Sequence, residues 1–358
     1  MFRELRLSAP PERVCLLRLS AIGDTCHVVP LLRRLKAAWP ATQFSWIIGR
    51  VEARLMSLLP DVEFITVDKR ADPAARRVLA GRLARERCDV LLHLQLALRA
   101  SLVARQVKAP VKLGFDRARA RELQWLFTTH GVAARRNEHV ADSFQGFADA
   151  LGVPAAPLDF SLPLPPDAQD YARRLVPDGA RVLAVSPCSS HALRNWLPER
   201  YAAVIDAAWH EHRLATILCG GPSPAERAMA DAIRARVTVP VTDQTGQDTL
   251  PQMQALLTRA TVLLTPDSGP AHMGTAAGIP VLGLYAATNP RRSGPYHSLS
   301  WCVDRYAEAA RQFARREPEQ LPWTRKIEKP GVMELIRVED VLERLAALQA
   351  AQLLQSRT

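Results

Sequence analysis

The chain has 358 residues, 48% hydrophobic and 23% charged, which excludes a disordered polypeptide and leaves room for two domains with separate cores. Its formal net charge of +11 favours an anionic partner such as a phosphorylated substrate, an anionic lipid surface or a nucleic acid. Zinc-finger spacing and aromatic–basic RNA-binding patterns are absent, so no nucleic-acid partner is expected.

Residues 13–19 (RVCLLRL) form an apolar run of the kind buried on both faces of a parallel sheet. They lead through Ser20-Ala21-Ile22-Gly23-Asp24 into a helix with Pro30 expected near its start and Pro40 beyond its end. Strands are then expected over 43–48, 62–67, 89–94 and 111–115, alternating with helices over 51–59, 73–87 and 98–107. A helix over 139–151 precedes residues 154–166, which hold five prolines and read as an interdomain linker. The alternation resumes with strands at 181–185, 215–219 and 239–241 and with helices beginning at Trp196-Leu197-Pro198-Glu199 and spanning 225–236 and 250–257. A strand over 262–264, a turn Thr265-Pro266-Asp267-Ser268-Gly269, a helix over 270–277 and a strand over 281–285 make a compact βαβ unit. The tail over 338–354 reads as an amphipathic helix. Two doubly wound, Rossmann-like parallel-sheet halves follow, and in that architecture ligands bind at strand carboxyl ends.

The first half supplies Ser20, Gly23 and Asp24 after its first strand. The second supplies Ser189, Ser190 and Arg194, then Gly220 and Gly221, then Asp267 through His272, then Thr288. Backbone amides and the dipole at the start of the 270–277 helix would suit a diphosphate. At this level Asp24 and Asp267 read either as helix caps or as functional carboxylates, and His272 either as a site residue or as a surface one. The arginines between Arg70 and Arg136 read either as solvated helix faces or as contacts to an anion. Neither GxGxxG, GxxxxGK[ST], Asp-x-Asp nor G-x-S-x-G occurs, and no histidine or cysteine set has zinc spacing. Six scattered cysteines without a CxxC pair point to reduced thiols. With no signal-peptide core in MFRELRLSAPPERV and no apolar run of ~20 residues, a cytoplasmic protein is expected, one able to touch a membrane surface.

Residues 18–24 (RLSAIGD), with Pro30 and Leu35-Lys36, resemble the amino-terminal motif of glycosyltransferase family 9, the lipopolysaccharide heptosyltransferases. Ser186-Pro187 through Arg194-Asn195-Trp196-Leu197-Pro198-Glu199 resembles the second motif of that family. Asp267-Ser268-Gly269-Pro270-Ala271-His272, with Thr288-Asn289-Pro290 and Gly294-Pro295, resembles its third. The resemblance implies a GT-B fold in which two Rossmann-like domains face a cleft: an acceptor domain over 1–160, a nucleotide-sugar domain over 161–335 and a terminal helix over 336–358. It implies inverting, metal-independent and cofactor-free transfer of a heptose from ADP-L-glycero-D-manno-heptose to the inner core of lipopolysaccharide, at the inner-membrane surface.

By the same resemblance Asp24 matches the general base, and Ser20 and Gly23, in its motif, are expected among the donor-binding residues. Ser189 and Ser190 match hydroxyls near the diphosphate, and Asp267, Ser268, Gly269, Pro270, His272 and Thr288 match the donor site. Gly246, Gln247 and Asp248 fall where adenine is held, and Glu226 matches the ribose carboxylate. Arg194 stands where the family commonly has lysine, at the diphosphate or sugar. Its planar fork is not equivalent to an ammonium, which leaves a UDP- or GDP-sugar transferase, or a sugar-nucleotide epimerase of the same fold, as alternatives.

Overall fold

The computed structural model of the chain describes residues 5, 7–68 and 70–355. Residues 1–4 and 6, part of the stretch read above for a signal peptide, lie outside the described residues. Two compact units divide the chain, Met1–Pro163 and Leu164–Thr358.

In the first unit β1 (Arg13–Leu17), α1 (Ile22–Ala38), β2 (Gln43–Gly49), α2 (Arg50–Met56), β3 (Val62–Val67) and α3 (Pro73–Arg85) come first. They are followed by β4 (Val90–His93), α4 (Leu98–Gln106), β5 (Val111–Gly114), β6 (His130–Gly131) and α5 (Val140–Ala150). The six strands are parallel in the order β3-β2-β1-β4-β5-β6. Chain order reverses between β1 and β4, so the loops leaving these two strands diverge to opposite faces and open a space at their carboxyl ends.

The second unit repeats the plan. It contains α6 (Pro166–Leu175), β7 (Val182–Val185), α7 (Pro198–His212), β8 (Ala215–Leu218), α8 (Pro224–Arg234), β9 (Val241–Asp243) and α9 (Leu250–Arg259). Then come β10 (Val262–Pro266), α10 (Gly269–Ala276), β11 (Val281–Tyr285), α11 (Pro290–Ser293), β12 (Val303–Asp304), α12 (Tyr306–Ala309) and α13 (Val338–Gln355). Its order, β12-β11-β10-β7-β8-β9, reverses between β7 and β10. Every residue of β7, β10 and β11 is buried, as strands covered by helices on both faces must be. Among the described residues no helix is long and apolar enough to cross a membrane.

Several elements differ from expectation. Helix α1 begins at Ile22, so Asp24 lies inside its first turn instead of in a loop before it. Pro30 sits mid-helix, where it removes the bond that would reach the Cys26 carbonyl; the buried Val28, Val29, Leu31, Leu32 and Leu35 hold the helix through packing. Helix α6 was not expected, since its buried stripe is only Ala168 and Ala172 and the proline run hides its start, although Pro166 suits a first helical position. Strand β9 begins two residues later than the apolar pattern placed it.

Helix α10 is set close to its strands because residue 274 is glycine. A Cβ there would lie 2.6 Å from Val281 Cγ2 and 3.0 Å from Leu263 Cδ2, and Val281, branched at Cβ, has little rotamer freedom with which to give way. Gly274→Ala is therefore expected to destabilise the protein by roughly 1–3 kcal/mol in urea unfolding. An unchanged midpoint would show that α10 shifts freely.

Candidate active site

At the β7–β10 reversal, Ser186 through Trp196 fold into a closed loop. The Ser189 amide donates to Asn195 Oδ1 at 2.7 Å, the Arg194 amide to the His191 carbonyl at 2.9 Å, and the buried Trp196 indole to the Ile336 carbonyl at 3.0 Å. The Ser189 hydroxyl donates to the Asp267 carbonyl at 2.8 Å, tying this loop to the one after β10. Arg194 then spans two carboxylates. Its Nη1 lies 3.1 Å from Asp267 Oδ2, while Nε and Nη2 reach Glu328 Oε1 at 2.8 and 2.6 Å. Asp267 thus pairs with Arg194, the job that the sequence left open between cap and site residue. Lysine could not span both partners with one planar fork.

Glu328 was missed in the sequence because it lies in an irregular stretch with no motif. It arrives there because the Ile327 amide donates to the Ala287 carbonyl beyond β11 at 2.7 Å. Burial would raise the Glu328 carboxyl, but the hydrogen bond and charge of Arg194, with His191 and Lys326, hold it below its ordinary value. Burial and the neighbouring Arg194 lower the Lys326 ammonium, against the opposing pull of Glu328 and Asp267.

Ser268 precedes α10 but makes no side-chain cap bond; its hydroxyl instead meets Thr265 Oγ1 at 2.8 Å. The first-turn amides of α10 therefore have no side-chain cap from Ser268, with Gly269 and Pro270 opening the helix. Such an end beside a guanidinium favours an anion. His272 is buried in this helix, so of its two readings the surface one falls away, and Thr288 is buried beyond β11. Ser190 is exposed.

A second group gathers after β8 and β9. The Glu226 carboxylate accepts from the Gly221 amide at 2.9 Å and from the Ser223 hydroxyl at 2.6 Å, so it closes the amino terminus of α8. The Gly246 amide donates to the Gly220 carbonyl at 2.8 Å, and Gly246 has φ +75°, a conformation suited to glycine. Exposed Gln247 donates to the Asp243 carbonyl at 2.8 Å. Asp248 Oδ2 is buried without a hydrogen-bond partner, and burial pushes its carboxyl up to about 7.

In the first unit Asp24 Oδ2 accepts from the Ala21 amide at 3.3 Å and pairs with Arg18 Nη2. Arg18 is itself held by the Leu94 carbonyl at 2.7 Å and lies over the Phe144 ring. Ser20 Oγ accepts from Arg99 at 2.8 Å, and Gly23 is buried within α1. Arg18 thus orients Asp24, while Arg99 and Gln95, whose side-chain amide donates to Ser20 Oγ at 3.4 Å, hold Ser20; of the three only Arg18 lay within a motif. Burial, then Lys112 and Arg18, push the neighbouring His93 imidazole down to about 3, so it stays neutral. Among the described residues no three His, Cys, Asp or Glu side chains group as a metal site.

Two Rossmann-type units in one chain, each a parallel sheet with one reversal of strand order, are the architecture of the GT-B fold. The sequence matches the glycosyltransferase family 9 (heptosyltransferase) profile over residues 76–321. It is 36% identical over 338 residues to the lipopolysaccharide core heptosyltransferase OpsX of Haemophilus influenzae, covering 94% of this chain and 97% of that protein. The structure superposes on a glycosyltransferase family 9 protein of Veillonella parvula with TM-score 0.77 and 22% identity, over 98% of this chain and 99% of the other. It also superposes on Escherichia coli ADP-heptose lipopolysaccharide heptosyltransferase II with TM-score 0.71 and 17% identity, over 95% and 99%. The chain belongs to glycosyltransferase family 9 and is a transferase.

The raised Asp248 carboxyl carries a pH signature. Its folded value of about 7 lies above the ordinary 3.8, so the fold is unpenalised below pH 4 and loses stability as pH rises through 7. In urea unfolding at pH 5 and pH 8, wild type should lose stability relative to Asp248→Asn, by roughly 1.4 kcal/mol per pH unit at most between pH 5 and 7 and no further above it. Parallel stabilities at both pH values would contradict a buried, unpaired carboxyl.

Proposed function

We propose that the protein transfers a heptose from an ADP-heptose donor to the inner core of lipopolysaccharide, inverting the anomeric centre without a metal ion. The observation that carries the donor half of this reading is Arg194, fixed by Asp267 and Glu328 beside the α10 amino terminus. The Haemophilus relative supports the acceptor, and the E. coli structure supports the nucleotide, being that of an ADP-heptose transferase.

The diphosphate would lie at α10 and Arg194, with Ser190 and Lys326 at hand. Ser189 acts through its bond to the Asp267 carbonyl, holding the two loops together. Gly246, Gln247 and Asp248 would receive adenine. Glu226, occupied by Gly221 and Ser223, would reach a ribose only through an oxygen that also serves the α8 turn. The acceptor hydroxyl attacks the anomeric carbon on the face opposite the diphosphate. The carbon–oxygen bond to ADP breaks with its electron pair leaving on the diphosphate, and the acceptor proton passes to Asp24. Arg18 orients that carboxylate. Charge growing on the departing diphosphate is met by fixed donors, each worth roughly 2.7–4 kcal/mol in a dry site, and these take the place of a metal. Transfer would take place on the cytoplasmic side of an anionic membrane.

Asp24→Asn keeps the size of the side chain and removes the base. Transfer from ADP-heptose to purified inner-core acceptor should fall about 10²–10⁴-fold, with ADP affinity unchanged. A chelator should leave the wild-type rate intact. Retention of most of the rate by Asp24→Asn would place the base elsewhere, and loss of activity on chelation would overturn the metal-free mechanism.

A further inference from the structure

The first unit presents an apolar patch set among arginines, which the proposed chemistry does not use. Leu98 and Leu102, one turn apart on α4, are 41% and 48% exposed, and Leu123, Trp125 and Leu126 are 53%, 36% and 57% exposed. These two groups belong to one surface, because the Leu98 amide donates to Glu122 Oε2 at 2.6 Å. The short turn that carries the second group is built into the fold. Gln124 between them is fully buried and donates to the carbonyls of His93 and Gln95 at 2.8 and 3.2 Å. Glu122 and Leu123 are both left-handed, with φ 47° and 61°, a conformation rare for residues other than glycine. The chain thus keeps Leu123 facing outward at a conformational cost.

Charge surrounds this patch. The Arg117 guanidinium stacks 4.8 Å over the Trp125 ring, and Arg99, Arg105 and Arg121 are exposed on the same two segments. Residues 70–126 hold thirteen basic and five acidic side chains, a net +8 of the chain's +11. Two copies facing each other through this patch would bring like charges together, which disfavours self-association. Leucines beside a tryptophan with basic side chains around them match the headgroup layer of an anionic bilayer.

We propose that this face docks the protein on an anionic phospholipid bilayer, the apolar side chains entering the headgroup layer and the arginines meeting lipid phosphate. Arg99, at the edge of the patch, also donates to Ser20 Oγ, four residues before Asp24. Docking would therefore bring the Asp24 segment toward an acceptor held in the membrane. The inference rests on the proposed transferase reading only for that use.

The full-length protein is sedimented with vesicles of phosphatidylcholine alone and of phosphatidylcholine and phosphatidylglycerol in equal amounts. Wild type should bind the anionic vesicles and weaken with added salt. Leu123→Ser/Leu126→Ser and Arg117→Ser/Arg121→Ser should each lower binding roughly tenfold or more, while Arg117→Lys/Arg121→Lys keeps most of it. Melting temperature and transfer to a water-soluble, deacylated acceptor should stay at wild-type level in all three variants. Equal binding to neutral vesicles, binding unchanged in both serine variants, or a wild-type dimer that these variants split would overturn the docking face. Failure of every form to act on the deacylated acceptor would instead overturn the transferase reading and leave the vesicle result standing.

Discussion

Each unit is governed by one constraint: a parallel sheet whose strand order reverses once. Hydrogen bonding along β1–β4 and β7–β10 places strands side by side whose following helices must leave on opposite faces. No helix can close over the carboxyl ends at those points. The loops there, at 18–21, 94–97, 186–197 and 267–268, are pinned by hydrogen bonds, and they carry Arg18, Ser189, Arg194 and Asp267. Burial of the strands on both faces keeps that frame rigid, so the positions of Arg18 and Arg194 are inherited from the sheets beneath them.

Within that frame the two reversals carry opposite chemistry. After β1 and β4, an arginine is used to orient a carboxylate: Arg18, fixed to the Leu94 carbonyl, pairs with Asp24. After β7 and β10, two carboxylates are used to orient an arginine, with Asp267 and Glu328 on either side of Arg194. The first arrangement presents an oxygen, suited to a proton. The second presents a fixed cation beside helix amides, suited to a phosphate. In the proposed reaction this division suits transfer between an alcohol and a nucleotide-linked sugar, and an arginine belongs to it because a planar fork serves both carboxylates.

Much of this was legible in the sequence, for physical reasons that differ by element. The buried strands are short apolar runs bounded by turn residues, and α10 is bracketed by Gly269-Pro270 and Gly278, so both were readable from local chemistry. Helix α6 was not, because its inward face is two alanines that leave no periodic signal. The site divides likewise. Asp24, Arg194 and Asp267 follow strands and stand in motifs. Glu328 and Lys326 come from an irregular segment more than forty residues beyond β11, brought in by a backbone bond from Ile327 to Ala287 that no local pattern announces. Glu226 and Ser189 stood out in the sequence as candidates, yet the hydrogen bonds that make them braces of their loops depend on partners that only folding supplies.

The central claim, that the second unit holds an ADP-linked donor at Arg194 and α10, is tested most directly by thermal denaturation with ADP, UDP and GDP in parallel. A nucleotide at 100 times its dissociation constant adds about 2.7 kcal/mol, enough to move a melting transition clearly. The account predicts a rise with ADP alone, largely lost in Arg194→Ala. A rise with UDP or GDP instead, or an ADP response unchanged in Arg194→Ala, would contradict it.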